Sequence, residues 1–355
     1  MIVLCFLLLG SLGAGLFLRP QNDFSQNENR WLQKTPEFSL QALADGSYTA
    51  QLEQMCSDQI LFRDFWIAAR SRLLLYAGNQ DIGGVYLGDD GFLFERRTDA
   101  DVLTARYEKN LAYVNSFAGS CSVPCTVMLV PGASDILPEL LPAHHQQYDT
   151  DEAFTAAQKA FADCSFLDLR DALRVVGADA YYRTDHHWTM QGAMAAYRSW
   201  CAAAGLRERD YELSTVSNDF RGTLYSKVLL DGCAYDSIAL PPEPQGVTCT
   251  VNGAQMPFYH DQKLREKDKY AVLLGGNYGR LDISGGNGGT LLVIKDSYAN
   301  SFAPFVAEDY SRVTMIDLRY FSGSVAALAA EYDEVLFLYE ITNFAQDPNL
   351  AKLLM

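Results

Sequence analysis

The sequence has no run of lysine or arginine residues of the kind that neutralises a nucleic-acid backbone. Its formal net charge is −16 at pH 7 and its isoelectric point is about 4.7, so the surface as a whole would repel phosphates. We therefore expect no nucleic-acid partner. Internal repeats and low-complexity tracts are also missing, which excludes repeat architectures. What remains is a chain of 355 residues, 49% of them hydrophobic types, which can bury one large core or two smaller ones.

Seven cysteines follow the apolar start of the chain, and because this number is odd, complete internal pairing is impossible. Cys121 and Cys125 have the spacing of half a zinc site, but no second C-x-x-C or histidine pair completes it. A local disulfide or two unlinked thiols is the favoured interpretation. Cys233 and Cys249 flank a predicted hairpin and are the pair to test for a bridge.

Residues 1–18 carry no charged side chain, and as a helix they would be about 27 Å long, close to the ~30 Å hydrocarbon core of a bilayer. The sequence predicts an N-terminal transmembrane helix at residues 1–19, a single-pass anchor in the cell membrane with the body extracytoplasmic. A cleaved signal peptide is the alternative, with Gly13-Ala14-Gly15 as a weak cleavage site, and it would make the protein secreted. Arg19 follows the span and no basic residue precedes it, so the positive-inside rule does not support this orientation.

Composition and hydrophobic periodicity divide residues 20–355 into two parts. Residues 20–80 are predicted to form a polar stalk at 21–39 and an N-terminal helical segment, since apolar residues recur at helical spacing over 40–76. Residues 81–355 are predicted to form one catalytic domain. Within it, residues from about 207 to 281 are rich in Gly, Pro and Tyr and have little helical period, so we interpret them as a β-rich insertion.

Apolar runs and helical patterns alternate through this domain. Buried strands are predicted at residues 125–130, 165–167, 290–294, 313–316 and 334–339. Helices are predicted at residues 102–117, 152–161, 190–204 and 323–330. This order indicates an α/β fold with a mostly parallel sheet covered by helices on both faces.

The first motif with chemical content is at residues 181–189, which read YYRTDHHWT. Thr189 can cap the helix that follows, so the motif projects from a fixed helix end. Asp185 and His187 are two residues apart, which allows the carboxylate to accept from the imidazole and fix the tautomer that a general base needs. Two alternatives stay open: the histidines serve only as loop hydrogen-bond donors, or Asp185, His186 and His187 bind a metal. No H-x-x-x-H spacing favours the metal.

The second motif is at residues 291–300, which read LLVIKDSYAN. A buried strand runs directly into Ser297 and then into a predicted helix, and ligands of open α/β sheets bind at the carboxyl ends of strands. The Ser297 backbone N–H would face a developing oxyanion there. Alternatively, Asp296 or Ser297 only caps the helix. The two motifs together favour a nucleophile with its base, since each provides what the other lacks.

These motifs resemble the bacterial DHHW proteins, which are related to the SGNH-hydrolase-like acetyltransferases of alginate O-acetylation. Further similar stretches are ENR at 28–30, DQ at 58–59, FRD at 62–64, GVYLG at 84–88, FRGTLYSK at 220–227 and IDLRY at 316–320. The resemblance implies a three-layer SGNH-hydrolase-like (flavodoxin-like) fold and a triad in which Asp185 orients, His187 is the base and Ser297 attacks. It assigns no catalytic role to His186.

The oxyanion donors of SGNH enzymes do not align securely with this sequence. After a strand predicted at 270–274, Gly276 and Asn277 are the oxyanion candidates, and a simple glycine turn is the alternative. Tyrosines near the motifs either stack on sugar rings or pack in the core. The remaining substrate candidates are Tyr182, Trp188, Asn300 and Arg319.

The resemblance implies serine-dependent acyl transfer, with O-acetyl as the group and a cell-surface or exported polysaccharide as the acceptor. A membrane-bound partner would supply the acetyl group, and no cofactor or metal is implied. Two alternatives remain: a carbohydrate esterase with the same triad, and a non-catalytic glycan-binding or scaffold protein of the cell envelope.

Overall fold

The computed structural model describes residues 10, 13–16, 18–25 and 30–355. Most of the transmembrane helix predicted at residues 1–19 lies outside these described residues. Among the residues that are described, no helix combines the length and the apolar character needed to cross a bilayer.

The described helices fall into an N-terminal group of three and a larger group that belongs to the main domain. The α-helices are α1 Leu40–Ala44, α2 Ser47–Gln59, α3 Arg63–Tyr76, α4 Asp99–Val102, α5 Ala105–Ser120, α6 Ala133–Ile136, α7 Thr150–Ala160, α8 Arg170–Val176, α9 Met190–Ala204, α10 Thr223–Val228, α11 Ala299–Val306, α12 Val325–Ala329 and α13 Ile341–Gln346. Short 3-10 helices lie at Asp89–Gly91, Pro138–Leu140, Gly177–Ala180, Asp261–Arg265, Lys269–Val272 and Pro348–Leu354.

The strands form one large sheet and three small ones. In chain order they are β1 Phe24–Ser25, β2 Arg30–Trp31, β3 Asp81–Ile82, β4 Val85–Leu87, β5 Leu93–Glu95, β6 Cys125–Val130, β7 Ser165–Asp168, β8 Ser214–Phe220, β9 Asp236–Leu240, β10 Thr248–Val251, β11 Ala254–Met256, β12 Arg280–Ser284, β13 Thr290–Lys295, β14 Arg312–Ile316 and β15 Glu334–Glu340. The small antiparallel sheets are β1-β2, β3-β4-β5 and β8-β9.

The large sheet has eight strands in the order β11-β10-β12-β14-β13-β15-β6-β7. The five strands from β14 to β7 are parallel, whereas β12, β10 and β11 extend the sheet antiparallel at one edge. The predicted α/β fold with a mostly parallel sheet is confirmed, and the sheet is mixed. Strands β10, β11 and β12, which lie in or next to the predicted β-rich insertion, are part of the large sheet.

The parallel strands are buried on both faces because their side chains alternate between two cores. Leu291 and Val293 of β13 pack in one core with α9 and α11. Leu292 and Ile294 pack in the other core with α5, α7 and α13. Such strands read as continuous apolar runs, which is why the sequence located them well. The three-layer arrangement places the carboxyl ends of β6, β13 and β15 at one edge.

Two local predictions differ from the structure. The helix predicted at 102–117 is two helices, because Thr104 starts α5 by accepting a hydrogen bond from the Tyr107 N–H on its side chain. The strand predicted at 270–274 is the 3-10 helix Lys269–Val272, joined to the chain before it by a single bridge at Leu273. Cys233 and Cys249, the pair singled out for a test, form no disulfide here, since the seven cysteines in the described part of the chain are free thiols.

The described residues of the predicted stalk, 21–25 and 30–39, make contacts with the end of α2. The buried Gln59 amide accepts from the Asn22 N–H at 2.9 Å and donates to the Asn22 carbonyl at 2.9 Å and the Gln33 carbonyl at 3.1 Å. Asp58 accepts from the Gln33 N–H at 2.8 Å. The segment is therefore fastened to the N-terminal helices.

Candidate active site

The two sequence motifs meet at the carboxyl edge of the large sheet. Residues 181–189, which we call the DHHW loop, connect the 3-10 helix Gly177–Ala180 to α9 and are closed by a bridge between Tyr181 and Trp188. The side chain of Thr189 accepts from the N–H groups of Gln191 and Gly192, so the predicted helix cap is confirmed. Ser297 lies in the tight connection between β13 and α11. Both motifs are thus held at the ends of regular elements.

Asp185, His187 and Ser297 form a continuous hydrogen-bonded chain. His187 Nδ1 lies 2.6 Å from Asp185 Oδ1, and His187 Nε2 lies 2.8 Å from Ser297 Oγ. Asp185 and His187 are buried, whereas Ser297 is partly exposed. This is the order of contacts that a serine nucleophile, its general base and an orienting carboxylate require.

Thr223 holds the second oxygen of Asp185. The Thr223 N–H donates to Asp185 Oδ2 at 2.8 Å, and the Thr223 hydroxyl lies 3.2 Å from the same oxygen. This approach requires glycine at position 222, because a Cβ on Gly222 would lie 2.1 Å from Asp185 Oδ2. The FRGTLYSK stretch, singled out as similar to the family, therefore orients the carboxylate, a role that sequence reasoning did not assign.

The electrostatics of the site fix the tautomer of His187. Burial alone would raise the pKa of Asp185, but the imidazoles of His186 and His187 and its accepted hydrogen bonds hold that pKa well below its usual range. Asp185 is therefore ionised, the shared proton belongs to His187 Nδ1, and Nε2 presents its lone pair to the Ser297 hydroxyl. Burial, with His187 acting in the same direction, lowers the pKa of His186 to about 4, so His186 is neutral at pH 7.

His186 has a separate structural contact. Its Nδ1 lies 2.7 Å from the Thr223 hydroxyl, and its backbone carbonyl accepts from the Tyr298 hydroxyl. The ligand atoms of Asp185, His186 and His187 lie within 4.8 Å of one another, which is close enough for a metal site. Asp185 Oδ1 and His187 Nδ1, however, are 2.6 Å apart in a direct hydrogen bond, so these two atoms do not leave room for an ion between them.

A second buried aspartate supports the loop from behind. Asp236, at the start of β9, accepts from the N–H groups of Arg183 and Thr184 at 2.8 and 2.9 Å, and from the Thr184 hydroxyl at 2.5 Å. The loop backbone before Asp185 is thereby fixed. Nothing in the sequence pointed to this contact, because Asp236 is more than fifty residues away in a stretch without helical period.

Tyr270 is another site residue that sequence reasoning missed. Its ring stacks on the His187 imidazole with centroids 3.8 Å apart and an interplanar angle of 11°. Its hydroxyl donates to the Ser297 carbonyl at 3.1 Å. Tyr270 therefore contacts both the base and the serine. The residue was placed in a strand, and an aromatic residue in a strand gave no indication of this contact.

Trp188 and Tyr182 are core residues and not substrate contacts, which corrects two predictions. Trp188 is fully buried, and its indole N–H donates to the Tyr298 carbonyl at 3.0 Å and the Ser301 hydroxyl at 2.6 Å. Tyr182 is buried and packs edge-on against Phe220. Trp188 thus fastens the DHHW loop to α11, the helix that follows the nucleophile.

Replacement of Trp188 by phenylalanine tests this role. The change removes one hydrogen bond from the Tyr298 carbonyl, which still accepts from Ser301 Oγ, and one from the Ser301 hydroxyl, which still accepts from Tyr270. It also removes packed volume from the core, so we expect unfolding free energy to fall by about 1 to 3 kcal/mol. We also expect acetyl-ester turnover to fall by about tenfold, because the His187 to Ser297 distance is no longer held. Trp200→Phe is the matched control, since Trp200 is also buried and donates to Tyr310 away from the triad. Equal turnover losses in both variants would contradict the positioning role.

The side chains of Asp296 and Ser297 have different partners in the turn before α11. Asp296 Oδ1 accepts from the Tyr298 N–H at 2.9 Å, and Oδ2 accepts from Asn343 Nδ2 at 2.8 Å and the Glu340 N–H at 2.9 Å. Burial raises the pKa of Asp296 to about 6. Asp296 therefore fixes the turn, while the Ser297 hydroxyl is directed to His187.

Gly276, Asn277 and Asn300 lie in one network beside the serine. Lys295 Nζ donates to the side-chain oxygens of Asn277 and Asn300, both at 2.7 Å. Asn300 Nδ2 lies 3.4 Å from the Gly276 carbonyl and 3.3 Å from Asn277 Oδ1. The structure thus brings the two oxyanion candidates next to α11, and their contribution to an oxyanion site remains a prediction.

Arg319 lies apart from this network. Its guanidinium forms a bidentate ion pair with the buried Asp317, at 2.9 and 2.6 Å. Its side chain is 41% exposed, and Tyr320 beside it is also exposed. Among the described residues, Arg319 makes no hydrogen bond to the triad, so a substrate contact remains a prediction.

Replacing Lys295 with methionine should change how stability depends on pH. Burial lowers the pKa of Lys295 to about 8, although Asp317 and Asp296 oppose the shift. Because the unfolded chain holds this proton more tightly, the cost of burying charged Lys295 is fully present below about pH 8 and decreases as the pH rises toward 10. Between about pH 7 and pH 9.5, the free energy of unfolding of the wild type should rise by about 2 kcal/mol relative to that of Lys295→Met. Denaturant unfolding at both pH values measures this, and a constant difference would exclude a depressed pKa.

Comparison with known proteins now identifies the class. A family model described as the SGNH hydrolase-like domain of the acetyltransferase AlgX matches residues 85–280, more than half of the chain. The chain belongs to this family of SGNH-like acetyltransferases. The matched region includes Asp185 and His187 and ends before Ser297, so the place of the serine rests on the geometry.

Solved structures with the same fold include two bacterial proteins. A DHHW family protein from Eubacterium siraeum is 21% identical, with a TM-score of 0.64 over 76% of this chain and 95% of that one. Bacillus cereus PatB1, solved with a sulfonyl adduct, is 22% identical, with a TM-score of 0.62 over 76% of this chain and 97% of that one. These similarities confirm the DHHW resemblance and establish the fold. No curated protein matches the sequence significantly.

Proposed function

We propose that this protein transfers acyl groups, with acetyl as the physiological group, to a cell-surface or exported polysaccharide through an acyl-serine on Ser297. The observation that supports this most is the 2.8 Å contact between His187 Nε2 and Ser297 Oγ, with Asp185 on the other ring nitrogen. Membership in an SGNH-like acetyltransferase family supports the acetyl group.

The first half of the proposed reaction forms the acyl-enzyme. His187 Nε2 takes the proton of the Ser297 hydroxyl as Oγ attacks the carbonyl carbon of an acetyl ester. Asp185 stabilises the imidazolium that forms. The tetrahedral intermediate collapses as the bond between the carbonyl carbon and the donor oxygen breaks, and that oxygen takes the proton from His187. The product is O-acetyl-Ser297 and the free donor alcohol.

Charge on the carbonyl oxygen must be stabilised during this step. The Ser297 backbone N–H stands at the start of α11, where the helix dipole favours negative charge. The Gly276–Asn277 turn is the candidate for a second donor, because the Asn300 and Lys295 side chains hold it beside α11. A preorganised donor of this kind contributes roughly 3 kcal/mol to a transition state.

The second half of the proposed reaction transfers the acetyl group to the acceptor and regenerates the free Ser297 hydroxyl. A sugar hydroxyl gives its proton to His187 Nε2 and attacks the acetyl carbon, the bond to Ser297 Oγ breaks, and Oγ takes the proton back. Water in place of the sugar would give an esterase with the same residues. Transfer is the proposed reaction because the family is one of acetyltransferases.

We further propose that the protein acts at the outer face of the cell membrane, anchored by the apolar residues 1–18 and supplied with acetyl groups by a membrane-bound donor protein. The uncharged start of the sequence supports the anchor. A polysaccharide acceptor outside the cytoplasm would require the acetyl group to be delivered across the membrane.

Product analysis with and without an acceptor tests the reaction. The full chain in detergent is incubated with a chromogenic acetyl ester, and then with the ester and a panel of oligosaccharides. We expect slow hydrolysis alone and acetylated oligosaccharide, detected by its added mass, when a suitable acceptor is present. Hydrolysis that no acceptor diverts would indicate an esterase, and Ser297→Ala gives the background for both. Absence of any turnover above that background would favour a glycan-binding protein.

A further inference from the structure

Exposed hydrophobic side chains are concentrated in one part of this molecule. In the part of the chain that the structure describes, eleven of the seventeen exposed large hydrophobic residues lie between residues 18 and 76, a segment of less than a fifth of the chain. Scattered exposed apolar residues are normal, but a concentration of this kind marks an interaction surface.

Helix α3 carries the most regular part of this surface. Five side chains lie along one side of α3, successively three, one, seven and three residues apart and beginning at its N-cap, and we call them the apolar stripe: Phe62, Phe65, Trp66, Leu73 and Tyr76. Their exposed fractions are 74%, 58%, 38%, 70% and 91%. The spacing is that of one face of a helix, so the stripe is continuous.

The opposite face of α3 packs against the main domain. Ser71 is fully buried, and Leu74 packs against a small core that includes Ile82, Val85 and Leu224. The helix is therefore docked on the domain by its inner face while the apolar stripe points outward. Phe62 has a φ of 57°, in the left-handed region that bulky residues seldom adopt, and it stands exposed at the start of the stripe.

The charge beside the stripe is unlike that of the whole protein. Helix α3 has three arginines, Arg63, Arg70 and Arg72, and a single acid, in a chain whose formal net charge is −16. Arg72 pairs with the exposed Asp231 and Arg63 lies 4.0 Å from Asp58, whereas Arg70 is exposed. At helical spacing the arginines fall on the two borders of the stripe. Aromatic and aliphatic residues bordered by arginines are the composition of helices that lie in a membrane interface.

The described residues near the end of the uncharged N-terminal stretch contact the start of the stripe. A Cβ on Gly15 would lie 2.3 Å from Leu61 Cδ1, so the backbone at Gly15 packs against the corner between α2 and α3. The Arg19 guanidinium donates to the Gln59 carbonyl at the same corner. The apolar stripe thus begins beside Gly15 and Arg19.

We propose that the apolar stripe of α3 lies in the headgroup region of a phospholipid bilayer, parallel to its surface, with the bordering arginines at the level of the phosphates. The stripe and residues 1–18 then form one membrane-contacting surface that fixes the orientation of the body. The inference rests on the proposed membrane location and is independent of acyl transfer.

Quenching of Trp66 by brominated lipid tests this directly. The chain has four tryptophans, of which Trp188 and Trp200 are buried, so Trp31→Phe leaves Trp66 as the one exposed reporter. The full-length Trp31→Phe protein is placed in vesicles of phosphatidylcholine and phosphatidylglycerol, with or without bromine on the acyl chains. We expect brominated vesicles to reduce Trp66 emission by about half. The double variant Trp31→Phe/Trp66→Phe provides the unquenched baseline.

Variants of the stripe complete the test. Serine at Phe65, Leu73 and Tyr76 should reduce the quenching of Trp66 more than twofold, whereas Val175→Ser, an exposed apolar residue of α8, should leave it unchanged. Trp66 that is not quenched in a chain that floats with the vesicles would overturn the proposal and indicate a protein occupant for the stripe. A chain that does not float would overturn the proposed membrane location as well, while leaving the acyl-transfer assay unaffected.

Discussion

Replacement of His187 by alanine is expected to lower kcat/KM for an acetyl ester by a factor on the order of 10⁴. The structure places His187 Nε2 at 2.8 Å from the Ser297 hydroxyl, and no other described side chain is in hydrogen-bond contact with that oxygen. Without the imidazole, the hydroxyl loses its proton acceptor at neutral pH, and the leaving group loses its donor. Steady-state turnover measures the effect, and a circular dichroism melt verifies that the variant folds.

His186 provides the matched control for this change. It is the same residue type, adjacent in sequence and close to the same aspartate, but its ring faces Thr223 and not Ser297. We expect His186→Ala to reduce kcat/KM by less than about tenfold. The double variant His187→Ala/Ser297→Ala should be no slower than either single variant, because residues that act as a unit are not additive. A loss for His186→Ala equal to that for His187→Ala would contradict the assignment of the base.

Asp185→Asn is expected to reduce kcat by about 10³- to 10⁴-fold. The two oxygens of Asp185 accept from the His187 N–H and Nδ1–H on one side and from the N–H and hydroxyl of Thr223 on the other. An amide has one accepting oxygen, so its NH2 group must face a donor on one side. The charge that stabilises the imidazolium is lost in either orientation.

Asp135→Asn separates this catalytic effect from a general cost of changing a buried carboxylate. Asp135 is also buried and accepts from Tyr148, Thr150 and Gln147, without a hydrogen bond to the triad. Both variants should unfold at lower denaturant concentration than wild type, whereas only Asp185→Asn should lose most of its turnover. If the two lose turnover in proportion to their stability, Asp185 has a structural role alone.

The elements that sequence located well are those whose burial leaves a simple pattern. Residues 125–130 were predicted as a strand and residues 190–204 as a helix, and both bounds agree with β6 and α9. Strands buried on both faces are continuous apolar runs, and a helix with a cap and an apolar face repeats every three or four residues. Local pattern was therefore sufficient for the parallel part of the sheet.

The antiparallel edge of the sheet could not be predicted in the same way. Strands β10, β11 and β12 are short and half-exposed, and they pair with the sheet through β14, which is nearly thirty residues further along the chain than β12. Glycine, proline and tyrosine are frequent in this stretch, so its sequence shows little helical or strand period. Its attachment depends on long-range pairing, which no local window contains.

The residues of the candidate site likewise fall into two groups, those that a local motif predicts and those that only long-range contacts reveal. Asp185, His187 and Ser297 were found because each occupies a recognisable motif. Ser297 follows a strand at the carboxyl edge of the sheet, whereas the loop with Asp185 and His187 lies between two helices, and the two motifs were paired because each provides what the other lacks. Tyr270 and Asp236 were missed because their roles exist only as contacts across the fold. Trp188 and Tyr182 were wrongly proposed to meet substrate, since a motif does not reveal which of its aromatic residues are buried.

The most direct test of the central claim is mass spectrometry of the protein after brief exposure to an isotopically labelled acetyl ester, with acid quenching to trap the intermediate. A serine acyl-enzyme predicts a labelled acetyl group on the peptide that contains Ser297, absent from Ser297→Ala and lost on addition of an oligosaccharide acceptor. Turnover with no label on that peptide, or label that persists at another residue in Ser297→Ala, would contradict the assignment of Ser297 as the nucleophile.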